Sequence, residues 1–290
     1  MFQGSIPALI TPFKNGKVDE QAFQDLVEWQ IEQGSDALVP VGTTGESPTL
    51  SHDEHHRVVA LCVEAAKGRV PVIAGTGSNN TAEAISLQKH AKKAGVTAGL
   101  VVTPYYNKPT QNGLIAHYKA INDAVELPII IYNIPARSVI DMTPATMAEL
   151  AKLPNIIGVK DATGDLSRPL NTYLACGADF CQLSGEDATA IQFLSAGGSG
   201  CISVTANIAP KLCSDMQKAW RDGDIKKAMD LQFKLLPLHN AMFCESSPGP
   251  VKYAAELLGL CTSETRLPLI EIAESSKERV RAALSALGMI

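Results

Sequence analysis

Short runs of apolar residues alternate along this chain with longer segments whose apolar positions repeat at the helical period, one unit roughly every 25–30 residues. The runs at residues 6–10, 37–41, 70–74, 99–103, 129–132, 156–160, 180–183 and 201–204 read as buried strands. Between them lie predicted helices, the first over residues 19–33 and closed by Gly34. The second covers residues 51–67, sets Val58, Val59, Cys62 and Ala66 on one stripe, and ends at Gly68. Further amphipathic stretches begin near Asn80, Thr110, Thr143, Leu166, Asp187 and Ala209. Ser51, Asn80, Thr143 and Asp187 suit N-caps, and Gly95, Gly177 and Gly197 suit helix stops.

Eight strands and eight helices in alternation predict a closed parallel (β/α)8 TIM barrel. A six-stranded doubly wound sheet would leave two units over, and its glycine fingerprint is missing, since Thr11-Pro12-Phe13 follows the first strand. After the eighth strand come further helices, over residues 210–243, 250–258 and 273–286, with no low-complexity linker. We divide the chain into a barrel, 1–225, and a C-terminal helical region, 226–290, which reads as an appendage or an oligomer contact.

The 290 residues are 46% hydrophobic, enough for a large core, so a disordered chain is excluded. With 25 Lys+Arg against 30 Asp+Glu the net charge is −5, and no basic stripe of the kind nucleic acid requires is present. The longest apolar runs, such as residues 127–131, are far shorter than a membrane span. Met1-Phe2-Gln3-Gly4-Ser5 has no basic region leading into an apolar stretch, so a cytoplasmic protein is expected. Cysteines 62, 176, 181, 201, 213, 244 and 261 are odd in number and scattered, which fits reduced thiols rather than disulfides or a zinc site.

In a parallel barrel the reactive groups project from the C-terminal ends of strands. Those ends offer Thr43 and Thr44, Tyr105 and Tyr106, Tyr132, Lys160, Ser184-Gly185-Glu186, and residues 202–205, with no histidine and no paired carboxylate. Lys160 stands out. The two-residue period puts it on the face of Ile156 and Gly158, and if that face is the barrel interior, desolvation frees its amine to attack a carbonyl and form an imine. The competing reading is a lysine reaching solvent at a strand end.

Tyr132 shares the face of Ile130 and reads either as a proton carrier beside such an amine or as a packed tyrosine. Gly42-Thr43-Thr44-Gly45-Glu46 reads either as a cradle for a small carboxylate or as a tight turn. Arg137, in the loop after Tyr132, suits a second carboxylate or simple solvation. His52, His55 and His56 cluster at a helix start, but no third metal ligand accompanies them and no metal is expected.

Taken with Tyr132-Asn133-Ile134-Pro135-Ala136-Arg137, Gly158-Val159-Lys160-Asp161-Ala162-Thr163-Gly164 and the Gly42–Glu46 loop, the chain resembles the dihydrodipicolinate synthases from Phe2 to its C-terminus. Val72-Ile73-Ala74-Gly75-Thr76-Gly77, Val102-Thr103-Pro104-Tyr105-Tyr106-Asn107 and Ile202-Ser203-Val204-Thr205-Ala206-Asn207 extend the likeness. The resemblance implies a lyase of lysine and diaminopimelate biosynthesis that condenses pyruvate with L-aspartate 4-semialdehyde, without metal or organic cofactor. It implies that Lys160 forms the pyruvate Schiff base. Tyr132 moves protons, linked through Thr43 to Tyr106, which reaches in from a neighbouring subunit. Thr44 holds the pyruvate carboxylate, Arg137 holds that of the semialdehyde, and Gly185 and Ile202 line the site through backbone groups. A homotetramer built from dimers is implied as well.

Residues matching the family's inhibitory lysine site are Ser47, His52, His55, Asn79, Glu83 and Tyr105, so feedback inhibition by L-lysine is expected. In that reading Glu83 pairs with the effector's α-ammonium and the histidines meet its side-chain amine. Two departures are visible: Ser247 stands where relatives commonly carry Asn, and Pro48 where a small residue such as Ala is frequent. The nearest alternatives are the sialic acid lyases and keto-deoxy-sugar-acid aldolases, against which Thr43-Thr44 and Arg137 argue. A non-catalytic barrel would be expected to have lost Lys160, Tyr132, Thr43 or Tyr106, and all are present.

Overall fold

A computed structural model describes residues 2–290. The strands are β1 (Gly4–Pro7), β2 (Phe13–Lys14), β3 (Lys17–Val18), β4 (Ile73–Gly75), β5 (Ala98–Val102), β6 (Ile129–Asn133), β7 (Ile156–Asp161), β8 (Cys181–Ser184) and β9 (Gly200–Ser203). The helices are α1 (Glu20–Glu32), α2 (His52–Ala66), α3 (Thr81–Ala94), α4 (Gln111–Ala124), α5 (Pro135–Ser138) and α6 (Pro144–Leu150). They continue with α7 (Arg168–Cys176), α8 (Ala190–Ser195), α9 (Pro210–Arg221), α10 (Ile225–Ala241), α11 (Gly249–Leu257) and α12 (Glu274–Ala286).

Seven parallel strands form one curled sheet in the order β1-β9-β8-β7-β6-β5-β4. Residues 37–40 fill the gap between its edges. Val39 exchanges backbone bonds with Pro7 and Leu9 on one side, and Leu38 does so with Pro71 and Ile73 on the other. The cylinder therefore closes with eight parallel segments, as the alternating pattern predicts. The second segment is a pair of bridges rather than a regular strand because Pro40 has no N–H to extend the ladder.

Alternate positions point inward. Ile6, Val39, Leu100, Ile130, Leu183 and Ile202 fill the cylinder's interior, while Val101, Ile129, Ile131 and Val159 face the outer helices α4 and α6. One inward assignment needs correction. Ile129 pairs with Ile156 but Ile130 pairs with Gly158, so β7 carries an extra residue at this point. The bulge sends Ile156 outward and leaves Gly158, not Ile156, on the face of Lys160. Gly158 is needed there, since a Cβ would lie 2.3 Å from the Cys181 carbonyl oxygen.

Capping chemistry sets most helix starts. Ser51 and Glu54 form a reciprocal capping box on α2, and Asn80, Thr110 and Thr143 accept from the first turns of α3, α4 and α6. Asp187 is not a cap, contrary to expectation. α8 starts later, and the buried Asp187 carboxylate instead accepts from Ser203 Oγ and from the Val204 and Thr205 amides at the end of β9. The helix expected over residues 210–243 is broken in two. Gly223 adopts φ 80° and Asp224 caps the new helix through the Lys227 amide, 3.0 Å away.

The β2–β3 hairpin and the short α5 have no counterpart in the periodicity. Among the described residues no helix is long and apolar enough to cross a membrane. All seven cysteines are free.

Candidate active site

Lys160 and Tyr132 are register partners on neighbouring strands, so both side chains leave the sheet on its inner face. Lys160 is only 6% exposed, and its Nζ lies 4.2 Å from the centroid of the Tyr132 ring. Apolar Leu183 and Ile202 are buried in the same interior cluster as Tyr132. Gly185, just beyond β8, lets the lysine stem pass, because a Cβ there would stand 3.1 Å from Lys160 Cε. Its N–H donates to the Asp161 carbonyl at 2.6 Å.

A cavity of about 380 Å³ opens above this pair, lined by Thr43, Thr44, Arg137, Gly185 and Ser247 as well as by Lys160 and Tyr132. Thr43 and Thr44, Arg137 and Gly185 come from the loops after three separate barrel segments, the arrangement a barrel uses to converge chemistry. Thr43, Thr44 and the Gly42–Glu46 backbone stand on one side, and Arg137, on α5, stands on another. Glu186 also lines the cavity, and burial raises its carboxyl pKa. A buried amine in one cavity with an arginine suits anionic substrates with a reactive carbonyl.

A second cavity of about 250 Å³ shares the wall made by Thr43, Tyr132, Ile134 and Arg137. Ser47, Pro48, Gly77 and Tyr105 line its far side. The other residues assigned to an effector lie beside it. His52 Nε2 is 2.8 Å from Glu83 Oε1, and Ser78 donates its hydroxyl to the other oxygen of Glu83. These bonds hold the Glu83 carboxyl below the usual carboxylate range, Ser78 contributing most. Burial beside Glu83 raises the Tyr105 phenol. The Asn79 carbonyl accepts from Asn107 Nδ2 at 2.9 Å.

The three clustered histidines do not converge on a common point. His52 faces Glu83, His55 is buried with its Nε2 donating to the Gly75 carbonyl at 2.9 Å, and His56 stacks on His90. Tyr106 lines neither of these two cavities. It is 89% exposed, at φ 70°, with its ring clear of the protomer.

Reasoning from strand ends did not single out Glu46 and Lys252, which form a fully buried ion pair directly behind the threonine loop, 2.6 Å apart. The signal was present: a lysine inside the apolar Val251-Lys252-Tyr253-Ala254-Ala255 run needs a buried partner. Ser247 is 6% exposed and its Oγ has no hydrogen-bond partner among the described residues, although it lines the catalytic cavity.

The sequence model of the dihydrodipicolinate synthetase family matches residues 1–287. A 4-hydroxy-tetrahydrodipicolinate synthase of Rhodospirillum centenum is 67% identical over 290 residues, covering 100% of both chains. The solved structure of the chloride-inhibited dihydrodipicolinate synthase of Acinetobacter baumannii, complexed with pyruvate, superposes with a TM-score of 0.98 at 49% identity over 100% of each chain. That of Cyanidioschyzon merolae, with lysine bound, gives 0.97 at 39% identity, covering 100% of this chain and 99% of the other.

Proposed function

The chain belongs to the dihydrodipicolinate synthetase family, and from that membership we propose how its own residues carry the family's reaction. The enzyme is a 4-hydroxy-tetrahydrodipicolinate synthase: it condenses pyruvate with L-aspartate 4-semialdehyde on the route to lysine. The observation that carries the residue assignment is the buried Lys160 amine facing the Tyr132 ring in a cavity bounded by Thr44 and Arg137.

Lys160 Nζ attacks the keto carbon of pyruvate, and the carbinolamine loses water to give an imine. The imine makes the pyruvate methyl acidic. Its proton leaves, the resulting enamine attacks the aldehyde carbon of the semialdehyde, and a carbon–carbon bond forms. The amino group of that second substrate then displaces Lys160 from the imine carbon, closing the ring and freeing the enzyme. Tyr132 is the proton carrier for these steps, linked through Thr43 to Tyr106 of a neighbouring subunit. Thr44, with the amides of its loop, holds the pyruvate carboxylate. Arg137 receives the semialdehyde carboxylate through paired hydrogen bonds. The Gly185 carbonyl and the backbone at Ile202 complete the lining.

Lysine is the proposed feedback inhibitor, bound in the smaller cavity by Ser47, His52, His55, Asn79, Glu83 and Tyr105, with its α-ammonium on Glu83. The shared wall at Thr43 and Tyr132 supports a route from that cavity to the proton carriers. The exposed Tyr106 and the apolar stripe of Leu166, Leu170, Tyr173 and Leu174 around α7 support assembly into a tetramer of two dimers. Residues 226–290 act as a helical unit beside the barrel of residues 1–225, closing the catalytic cavity with Phe243 and Ser247.

Borohydride reduction in the presence of labelled pyruvate tests the assignment. The pyruvyl mass should appear on the peptide that holds Lys160 and should vanish in Lys160→Ala. An adduct on any other peptide, or none, defeats it.

A further inference from the structure

The threonine loop is bracketed by two backbone outliers. Val41 has φ 49° and Glu46 has φ 55°, one on each side of Gly42-Thr43-Thr44-Gly45. Side-chain-bearing residues avoid this left-handed region, and a β-branched one most of all, so the surroundings must hold them there. Val41 is fixed by burial and by its carbonyl, which approaches Gly75 so closely that a Cβ on Gly75 would lie 2.2 Å from the oxygen.

Glu46 is fixed from the opposite end of the chain. Its Oε1 accepts from Lys252 Nζ at 2.6 Å and its Oε2 from the Arg266 amide at 3.0 Å. Lys252 also donates to the Glu264 carbonyl at 2.6 Å, and its ammonium sits 4.0 Å from the Phe13 ring centroid. Both charged side chains are inaccessible to solvent, at 0% and 1% exposure. The Glu46 amide in turn donates to the Thr43 carbonyl at 3.1 Å, so the anchored residue bonds directly to the one that presents the relay hydroxyl. A pair of apolar side chains could fill the same volume with comparable stability. It would not fix the direction in which the loop leaves the barrel.

We propose that Glu46 is a positioning residue: anchored by Lys252 and the Arg266 amide, its carboxylate holds its own backbone in the left-handed conformation that ends the Gly42–Glu46 loop and aims Thr43 and Thr44 into the catalytic cavity. This rests on the roles proposed above for those threonines. Releasing the anchor lets the loop relax toward ordinary backbone angles and turns the two hydroxyls away from pyruvate, while Lys160, held by β7, stays where it is.

The test compares the parent enzyme with Glu46→Gln and with the double variant Glu46→Gln/Lys252→Met, which leaves no buried ammonium unpaired. Steady-state kinetics on the folded double variant should show the pyruvate KM raised and kcat lowered, each about tenfold or more. Borohydride should still trap pyruvate on Lys160 at saturation. A folded double variant with both constants within twofold of the parent overturns the proposal, because a purely structural pair would alter only thermal stability. Should neither variant fold, amide exchange in the parent decides. Protection of residues 42–46 comparable to that of β6 supports the anchor, and exchange at the rate of exposed loops overturns it. Failure of the parent to trap pyruvate would instead strike the active-site assignment, so the two failures are distinguishable.

Discussion

Tyr132 and Lys160 stand opposite each other on adjacent parallel strands, with the lysine Nζ 4.2 Å from the centre of the phenol ring. The contact does two things at once. The ring face packs against the end of the lysine side chain, and the ring edge carries a hydroxyl along the path a proton must take when the carbinolamine loses water. Removing only the hydroxyl separates these roles. Tyr132→Phe should keep the packing, retain the borohydride-trapped adduct at long incubation, and lower kcat by roughly 10²–10⁴-fold. Unchanged turnover in that variant would exclude Tyr132 as the proton carrier.

How far the sequence reveals this arrangement differs from residue to residue. The cylinder was legible because eight apolar runs alternate with helical-period segments, and strand length needs little else. The inward direction of Lys160 was legible from its position in β7, yet the company it keeps was not. A bulge shifts the two-residue period once, and no residue in the run other than Gly158 hints at it. Asp187 looked like a helix cap because it precedes an apolar stretch by the right spacing. Local spacing could not show that the Val204 and Thr205 amides, just after β9, would claim it. The Glu46–Lys252 pair spans 206 positions, so each partner looks like an isolated charge until the chain is folded.

The paired His52 and Glu83 predict how the proposed effector site responds to substitution. An incoming α-ammonium must replace or join the imidazole at Glu83 Oε1, so its binding depends on the carboxylate charge rather than on shape alone. Glu83→Gln should raise the lysine concentration for half-inhibition by at least about tenfold while leaving kcat and the pyruvate KM within twofold. Lysine titration of initial rates checks this. Undiminished inhibition in that variant would move the ammonium site elsewhere.

Two buried histidines set an acid limit to stability. Desolvation pushes His55 and His117 down to about 4, against 6.5 in an unfolded chain. Above pH 6.5 neither state binds the proton, and both rings leave stability unaffected. Between 6.5 and 4 the unfolded chain binds more protons, so stability falls as the pH falls, by up to about 1.4 kcal/mol per pH unit for each ring. Glu54, held at about 2 chiefly by its hydrogen bond from Arg266, contributes only at lower pH, from 4.5 downward. Urea midpoints measured from pH 7 to 4.5 should therefore decline, and His55→Gln/His117→Gln should flatten the decline. Parallel profiles for parent and variant would refute the assignment.

Tyr106 offers the most direct test of subunit cooperation in the chemistry. Its ring points away from the protomer at 89% exposure, while the cavity it is proposed to serve lies behind Thr43 and Tyr132. If Tyr106 completes the relay of a neighbouring subunit, the two groups of one working site belong to different chains. Chains carrying Tyr106→Phe and chains carrying Lys160→Ala should then each be nearly inactive as pure assemblies. Unfolded together in equal amounts and refolded, they form hybrid dimers in which one site joins an intact Lys160 to an intact Tyr106. Half of the dimers are hybrids and half of their sites are complete, so activity should return to roughly a quarter of the parent value. A mixture no more active than its components would confine the relay to a single chain and leave the outward turn of Tyr106 without a catalytic role.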